Sequence, residues 1–529
     1  MRRRLVAAVG IAGLALAAAV WWSTLRDHGP DHRPNVLIVV WDTARADHLS
    51  VYGYDRPTTP RIAKLAERAV VFDRASSAGI WTLPSHASMF TGLAPESHGA
   101  DERWLWLDDR FTTIAEAFRD DGYATFTLAA NTLLCEETNL TQGFDVRLNT
   151  YKGKLAKVAK AATQRKLILG DLSHELAPGW VPPAHGAHNA EWARAAFKEA
   201  APLAGHTLLE WLSRRKTTDE PFFAFVNLME AHTPRIPSMA SRQQVMAGDP
   251  ALIQLGLTTD AAHINLHFYN FGKYTYSDRQ LAAITGVYDA ALADLDRATA
   301  DLLDELDRRG ILDDTIVVLT ADHGENLGDH HLFNHRFALW DSLVHVPLIV
   351  WAPGQAPGRV ARPVSTLDLF ANVARLAGVE PPDGISDHDW FGSVDAPAVT
   401  GLDLPLAREI ETVHAVYPDV AVAPWLRQGH AIVDGGYKLI DLTTADGDRS
   451  TALFDLAADP GELAPVDDPQ RTAALLDETA RWVAGWPPYD PADRGPGDDP
   501  AHVRASQDDL RAQLEALGYT APTGDEPVP

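Results

Sequence analysis

The run Asn35–Trp41, NVLIVVW, is apolar and rich in β-branched residues at every position after the first. No polar face alternates with the apolar one, which predicts a parallel strand covered on both sides. Runs of the same kind recur at Thr125–Ala130, Phe222–Leu228, Thr315–Thr320 and Pro347–Trp351. Between them the period changes. Thr112–Asp121, Glu191–Arg215 and Tyr288–Arg308 place apolar residues three and four apart, the spacing of one helix face. Strands alternating with helices predict an α/β fold, a mostly parallel central sheet flanked by helices.

The alternation breaks in two places. Tyr151–His188 begins with Lys152, Lys154, Lys157 and Lys160, ends rich in Gly, Pro and His, and reads as a surface insertion resembling a lid. After Gly378 a Pro/Gly/Asp-rich stretch to about Pro405 marks a boundary. Beyond it, Gln428–Leu442 and Thr451–Leu456 read as short strands around Gly435 and Gly436, a small antiparallel unit. Ala473–Trp486 is helical, Pro487–Pro500 a linker, and Gln507–Leu517 a last short helix. The expected division is an N-terminal segment and linker over 1–34, a catalytic domain over 35–385, a smaller α+β subdomain over 386–475, and C-terminal helices and tail over 476–529. A chain of 529 residues accommodates one large domain and a smaller one.

Charge narrows the partners. The chain carries 46 Lys+Arg against 72 Asp+Glu, a net charge of −26, which repels a phosphate backbone and argues against nucleic acid. Arg2, Arg3 and Arg4 precede an apolar run from Leu5 to Trp22, with Trp21 and Trp22 at its end. The run approaches the ~20 residues that cross a bilayer, so it reads as a signal or membrane anchor that places the remaining chain outside the cytoplasm. The single cysteine, Cys135, excludes an intrachain disulfide. Oligomeric state is not legible.

In open α/β sheets ligands bind beyond the carboxyl ends of the strands. Asp42, Asn131, His232 and the pair Asp322–His323 follow four of the predicted strands. Any one of them alone reads more readily as a turn or cap residue; several strands ending this way point to a site. Asp42, Asp322 and His323 together offer oxygen and nitrogen donors for a divalent cation, with Gly324 permitting the turn between them. The segment Gly79–Gly92, GIWTLPSHASMFTG, sets Pro84 at the first position of a helix, with Thr82 and Ser85 at its positive end. There they serve as simple caps or as groups facing an anion.

Taken in order, NVLIVVWDTARADHLSVYGY, WTLPSHASMFTGLAPESHG, VNLMEAHTPRIP, TIVVLTADHGENLGDHHLFNH and ALWDSLVHVPLIVWAPG resemble the sulfatase family of the alkaline phosphatase superfamily. The resemblance runs from about residue 35 to 519. It implies a hydrolase of anionic esters with one divalent ion, Ca²⁺, Mn²⁺ or Mg²⁺, held by Asp42, Asp322, His323 and Thr82. It implies Thr82 as nucleophile and His232 and His335 as residues assisting the leaving group or contacting the substrate anion. His86 and Asn131 are the candidate substrate-binding residues. The substrate would be a small-molecule or a glycan- or lipid-linked anionic ester.

The departures from the family pattern carry as much information. Family members carry Cys or Ser, in a Cys-x-Pro-x-Arg pattern, that becomes formylglycine; here the residues are Thr82-Leu83-Pro84-Ser85-His86. Thr43 replaces the second of two consecutive aspartates. A threonine nucleophile is shared with lipoteichoic acid synthases, phosphoethanolamine transferases and nucleotide pyrophosphatases. Threonine has no second hydroxyl, so its ester is resolved by attack on the central atom, a route that favours phosphorus over sulfur. Phosphate or phosphonate ester hydrolysis or transfer is the expectation. A sulfuric ester hydrolase without formylglycine, and an inactive metal-binding homologue, are the alternatives.

Overall fold

The computed structural model describes residues 33–168, 200–217, 220–259, 263–403, 408–490 and 492. The strands are β1 (Asn35–Trp41), β2 (Val70–Ser76), β3 (Ala124–Ala129), β4 (Val146–Asn149), β5 (Phe222–Leu228), β6 (Thr315–Thr320), β7 (Asn326–Leu327) and β8 (Phe333–Asn334). They continue with β9 (His345–Val346), β10 (Leu348–Trp351), β11 (Gly358–Ser365), β12 (Ala398–Leu402), β13 (Arg427–Asp434), β14 (Tyr437–Thr444) and β15 (Arg449–Asp455).

The large sheet has the order β11-β2-β10-β6-β1-β5-β3-β4, with β9 paired to β2. β1 lies in the middle, parallel to both β5 and β6. Its apolar side chains are therefore buried on both faces, as its uninterrupted pattern requires. β10, expected over Pro347–Trp351 as one more parallel strand, runs antiparallel to β6 and β2. β9 and β10 continue one another past Pro347, both antiparallel to β2; the chain leaves β6 at its carboxyl edge, loops through residues 321–344 and re-enters at that same edge, so no crossover to the opposite edge is made.

Two groups of helices cover the sheet. In one, α4 (Asp278–Arg308) packs against α3 (Ala201–Arg214). In the other, α5 (Leu369–Ala377) packs against α1 (Thr82–Thr91) and α2 (Ile114–Asp120). The Trp41 indole donates to Thr299 Oγ1 at 3.0 Å and ties β1 to α4. α4 begins ten residues before the expected Tyr288, because Ser277 and Gln280 form a capping box ahead of the apolar face. Of the helix expected over Glu191–Arg215, the described part is α3. Gly153–Ile168 is helical, where the sequence read as irregular. The Leu5–Trp22 run, residues 169–199 and the Gln507–Leu517 helix lie outside the described residues. Among the described residues no helix is long and apolar enough to cross a membrane.

β12-β13-β14-β15 form a second, wholly antiparallel sheet against which α6 (Pro469–Ala484) packs. Thr400 Oγ1 donates to Ser77 O at 2.6 Å, and Gly401 N to Ala78 O at 3.1 Å. This sheet is thereby fastened to the chain just before α1.

Candidate active site

The central strands deliver the site. β1 and β6 pair in register up to Val40 and Thr320, and β1 and β5 up to Trp41 and Leu228. Asp42 and Asp322 therefore leave the sheet side by side at its carboxyl edge. Asp42 N donates to Leu228 O at 2.9 Å, which holds the exit of β1 to β5.

Each candidate ligand has one half satisfied and one half without a partner. Asp42 Oδ2 accepts from Asn131 Nδ2 at 2.8 Å and Asn227 Nδ2 at 3.2 Å, while Oδ1 has no hydrogen bond. Asp322 Oδ1 accepts from the N–H groups of Thr43 at 3.2 Å and His323 at 3.0 Å, while Oδ2 has none. His323 Nδ1 donates to Gly324 O at 2.9 Å, which fixes the tautomer and leaves Nε2 with its lone pair exposed to the cluster. Asp42, Asp322 and His323 offer ligand atoms all within 4.8 Å of one another, and all three residues are fully buried. Asp322 Oδ2 and His323 Nε2 face each other at 3.3 Å. Buried lone pairs converging in this way fit a divalent cation; two hard oxygens and one imidazole suit Ca²⁺, Mn²⁺ or Mg²⁺.

The electrostatics agree. Burial, and then the charge of Asp322, push Asp42 up to about 7. Burial likewise pushes Asp322 up to about 7. Burial, and then His335, hold His323 down to about 4, in the neutral form a metal ligand requires.

Gly324 serves this cluster by close approach rather than by an unusual turn. Its φ is not positive. A Cβ there would stand 2.0 Å from Ser342 O, so only glycine fits between His323 and that backbone.

α1 begins at Thr82, two residues earlier than a first-position Pro84 implies. Ser85 N donates to Trp81 O at 3.3 Å, so Pro84 occupies the third position, where its missing N–H is no loss. Neither hydroxyl is a cap. Ser85 Oγ donates to Asp322 O at 2.6 Å and pins the helix to the cation cluster. Thr82 Oγ1 accepts from Asn131 Nδ2 at 3.0 Å. The same nitrogen serves Asp42 Oδ2, so the hydroxyl and the carboxylate lie no farther apart than two hydrogen bonds end to end. Leu133 N donates to Asn131 Oδ1 at 2.9 Å, and that bond fixes which way the amide faces. Asn131, expected at the substrate, has its amide committed to Asp42 and Thr82.

His86 sits behind this helix end, fully buried, with Nδ1 donating to Thr82 O at 2.8 Å and lying 3.5 Å from Asp322 Oδ2. Its ring meets Phe90 and Phe225 edge-on, and burial holds it down to about 3. His335 and His232 extend the site away from His323. The ring centroids of His323 and His335 are 4.5 Å apart, and those of His335 and His232 are 5.1 Å apart. His232 donates from Nδ1 to Thr233 O at 2.7 Å.

Three residues that the sequence did not single out complete the arrangement. Asn227 braces Asp42 from inside β5, and its Oδ1 accepts from Asn131 N at 2.9 Å. Its signal was one amide in the otherwise apolar FFAFVNL. Glu325, fully buried, faces His335 Nδ1 at 3.3 Å and Arg235 Nη2 at 3.0 Å. Burial opposes its ionisation, but His335 and Arg235 hold Glu325 below the usual carboxylate range.

A helix-borne hydroxyl beside a carboxylate–imidazole cluster, at the carboxyl edge of a mostly parallel sheet, is an arrangement suited to cleaving an anionic ester. Residues 34–379 match the sulfatase family, and the chain belongs to that family. It is 25% identical over 383 residues to the ulvan-active sulfatase of Formosa agariphila, covering 71% of this chain and 67% of that one. It is 24% identical to the choline-sulfatase of Rhizobium meliloti, covering 85% and 87% of the two chains. Among solved structures it resembles the phosphonate monoester hydrolase of Agrobacterium radiobacter, with a TM-score of 0.61, 21% identity, and coverage of 94% and 99%.

Proposed function

We propose that this chain is a phosphoric ester hydrolase or phosphotransferase that works through Thr82. The observation that carries the reading is the shared amide of Asn131, which joins the Thr82 hydroxyl to Asp42 of the cation cluster. A divalent ion held by Asp42, Asp322 and His323, and reached by Thr82, would neutralise a non-bridging oxygen and ease ionisation of the threonine hydroxyl. Ca²⁺, Mn²⁺ and Mg²⁺ each suit that set.

The protein's own groups then act in sequence. Thr82, having given up its proton to solvent, attacks phosphorus in line through Oγ, forming the P–Oγ bond as the bond to the leaving oxygen breaks. His335 or His232 delivers a proton to that oxygen; positioned acid catalysis of this kind is worth ~10²–10⁴. Water, or an acceptor hydroxyl, attacks phosphorus next and passes its proton to the same histidine, while Thr82 departs and regains a proton from solvent as the free hydroxyl. A threonine ester cannot collapse to an aldehyde, so both halves of the cycle require attack at the central atom. The names of the curated relatives favour a second reading, a sulfuric ester hydrolase using the same groups. The substrate class is a small-molecule or a glycan- or lipid-linked anionic ester. The basic and apolar start of the chain suits an enzyme anchored in, or exported across, a membrane.

The test offers the Mn²⁺-loaded full chain aryl phosphate mono- and diesters, phosphonate esters and aryl sulfates, beside Thr82→Ala and Thr82→Ser. Turnover of a phosphorus ester, abolished in Thr82→Ala and retained in part in Thr82→Ser, with phosphorylated Thr82 trapped by acid quench, is the expected result. Turnover of aryl sulfate alone, or activity unchanged in Thr82→Ala, overturns it.

A further inference from the structure

Thr43 stands directly after Asp42 with φ +63, in the left-handed region that β-branched residues avoid. It is fully buried. Its N–H is one of the two donors that hold Asp322 Oδ1, the bond that leaves Oδ2 directed to the cation cluster. A residue in this conformation persists only where its surroundings impose it.

One side chain closes the turn. The Tyr288 hydroxyl donates to Thr43 O at 2.8 Å and accepts from Arg45 N at 2.8 Å. It thereby holds the carbonyl of the left-handed residue itself, whose direction its backbone torsions set, and ties it to the N–H two residues further on. Tyr288 is itself fully buried on α4, and burial pushes its phenol far above neutrality, so the donor is always present. Its ring cannot swing away. The Arg235 guanidinium lies over it at 5.2 Å, and His48 meets its edge at 5.2 Å. Arg235 in turn pairs with Glu325, which faces His335. One aromatic residue thus supports both the turn that aims Asp322 and the arginine behind the outer histidine.

We propose that Tyr288 is a positioning residue for the cation cluster, acting by holding residue 43 in the left-handed conformation that turns its N–H onto Asp322. The inference rests on reading Asp42, Asp322 and His323 as a cation site. It predicts coupling between two positions. Without the hydroxyl, Thr43 relaxes and Asp322 loses a donor; glycine at 43 adopts the same conformation at no steric cost.

The experiment is a calorimetric Mn²⁺ titration of the full chain as wild type, Tyr288→Phe, Thr43→Gly and the double variant. Tyr288→Phe is expected to bind about tenfold more weakly, the scale of one residue's left-handed preference. Thr43→Gly alone should stay near wild type, and the double variant should recover most of the loss. A merely structural role for Tyr288 lowers stability without this recovery. Wild type that binds Mn²⁺ while Tyr288→Phe binds equally well overturns the role of Tyr288 alone. So does a double variant no better than Tyr288→Phe. Wild type that does not bind Mn²⁺ overturns the cation reading and this role with it. Should Tyr288→Phe fail to fold, the double variant must still fold and bind near wild type; if it does neither, the proposal is wrong.

Discussion

Gly324→Ala probes how tightly the candidate cation site is built. A Cβ at that position would lie 2.0 Å from Ser342 O, 2.9 Å from its carbonyl carbon and 3.2 Å from Leu343 Cα. All three are backbone atoms, so no rotamer change relieves the clash. Because real Cβ atoms essentially never approach closer than 3.0 Å, the segment must move by about 1 Å. Two backbone bonds cross the same gap, Gly324 N to Leu343 O at 2.7 Å and Glu325 N to Ser342 O at 2.9 Å. Overpacking costs about 1–3 kcal/mol and each weakened bond about 1 kcal/mol, so a loss of about 3–5 kcal/mol is expected. At an unfolding entropy of about 2 cal/mol/K per residue, that shifts the Tm of so long a chain by only about 3–5 °C. Cation affinity is the sharper readout. Ligand distances tolerate about 0.2 Å, far less than the displacement, and disturbed outer contacts typically cost about 10–100-fold. Mn²⁺ titration of Gly324→Ala against wild type should show a loss at the upper end of that range, or beyond it. A variant that binds Mn²⁺ within about threefold of wild type would refute the argument that this backbone contact sets His323.

Cation binding should depend on pH. With Asp42 and Asp322 both pushed up to about 7, an entering cation displaces protons, so affinity should rise from pH 6 to pH 8 and buffer-dependent calorimetry should report proton release. The same shifts fix a sign for the cation-free protein: folded values above the unfolded ones stabilise at low pH, and that contribution is lost as pH rises through about 7. Urea midpoints that climb between pH 5 and 8 without cation would contradict it. Asn131→Ala should cut turnover by about 10²-fold or more, since one amide orients Thr82 and Asp42 together, and its rate should be compared at saturating Mn²⁺. Lys438→Met should leave Mn²⁺ affinity unchanged but destabilise the fold by about 3–5 kcal/mol in urea at neutral pH. The buried ammonium holds Asp341 at 2.8 Å and Glu462 at 2.7 Å, and Glu462 would lose its counter-charge. That penalty should shrink as pH falls, because burial raises Glu462 and a protonated carboxyl no longer needs a counter-charge.

What the sequence disclosed follows from where burial is two-sided. β1, β5 and β6 have apolar residues on both faces, so their runs stand out and their bounds emerge unchanged. β2 and β11 escaped notice because polar residues interrupt them: Asp73 and Arg74 in VVFDRAS, and Arg359 and Arg362 in GRVARPVS. Residues placed just past strand ends, such as Asp42 and Asp322, are legible because the carboxyl edge of a parallel sheet is one locus. His323 is legible because it adjoins one of them.

The residues that orient these groups follow no such rule. Asn227 acts from within a strand, and Tyr288 from a helix 245 positions away from the turn it closes. Glu325 adjoins the Asp-His-Gly motif, yet its meaning comes from Arg235, 90 positions earlier. Spacing along the chain encodes which atoms reach the edge of the sheet. Which way they face is set by contacts between elements that are distant in sequence. Thr82 combines both. Its helix-end position is local, but its bond to Asn131 exists only because β3 and β5 bring residues 131 and 227 beside Asp42. A candidate nucleophile chosen by sequence alone therefore suggests a reaction class, and the amide network around it is what ties that hydroxyl to Asp42.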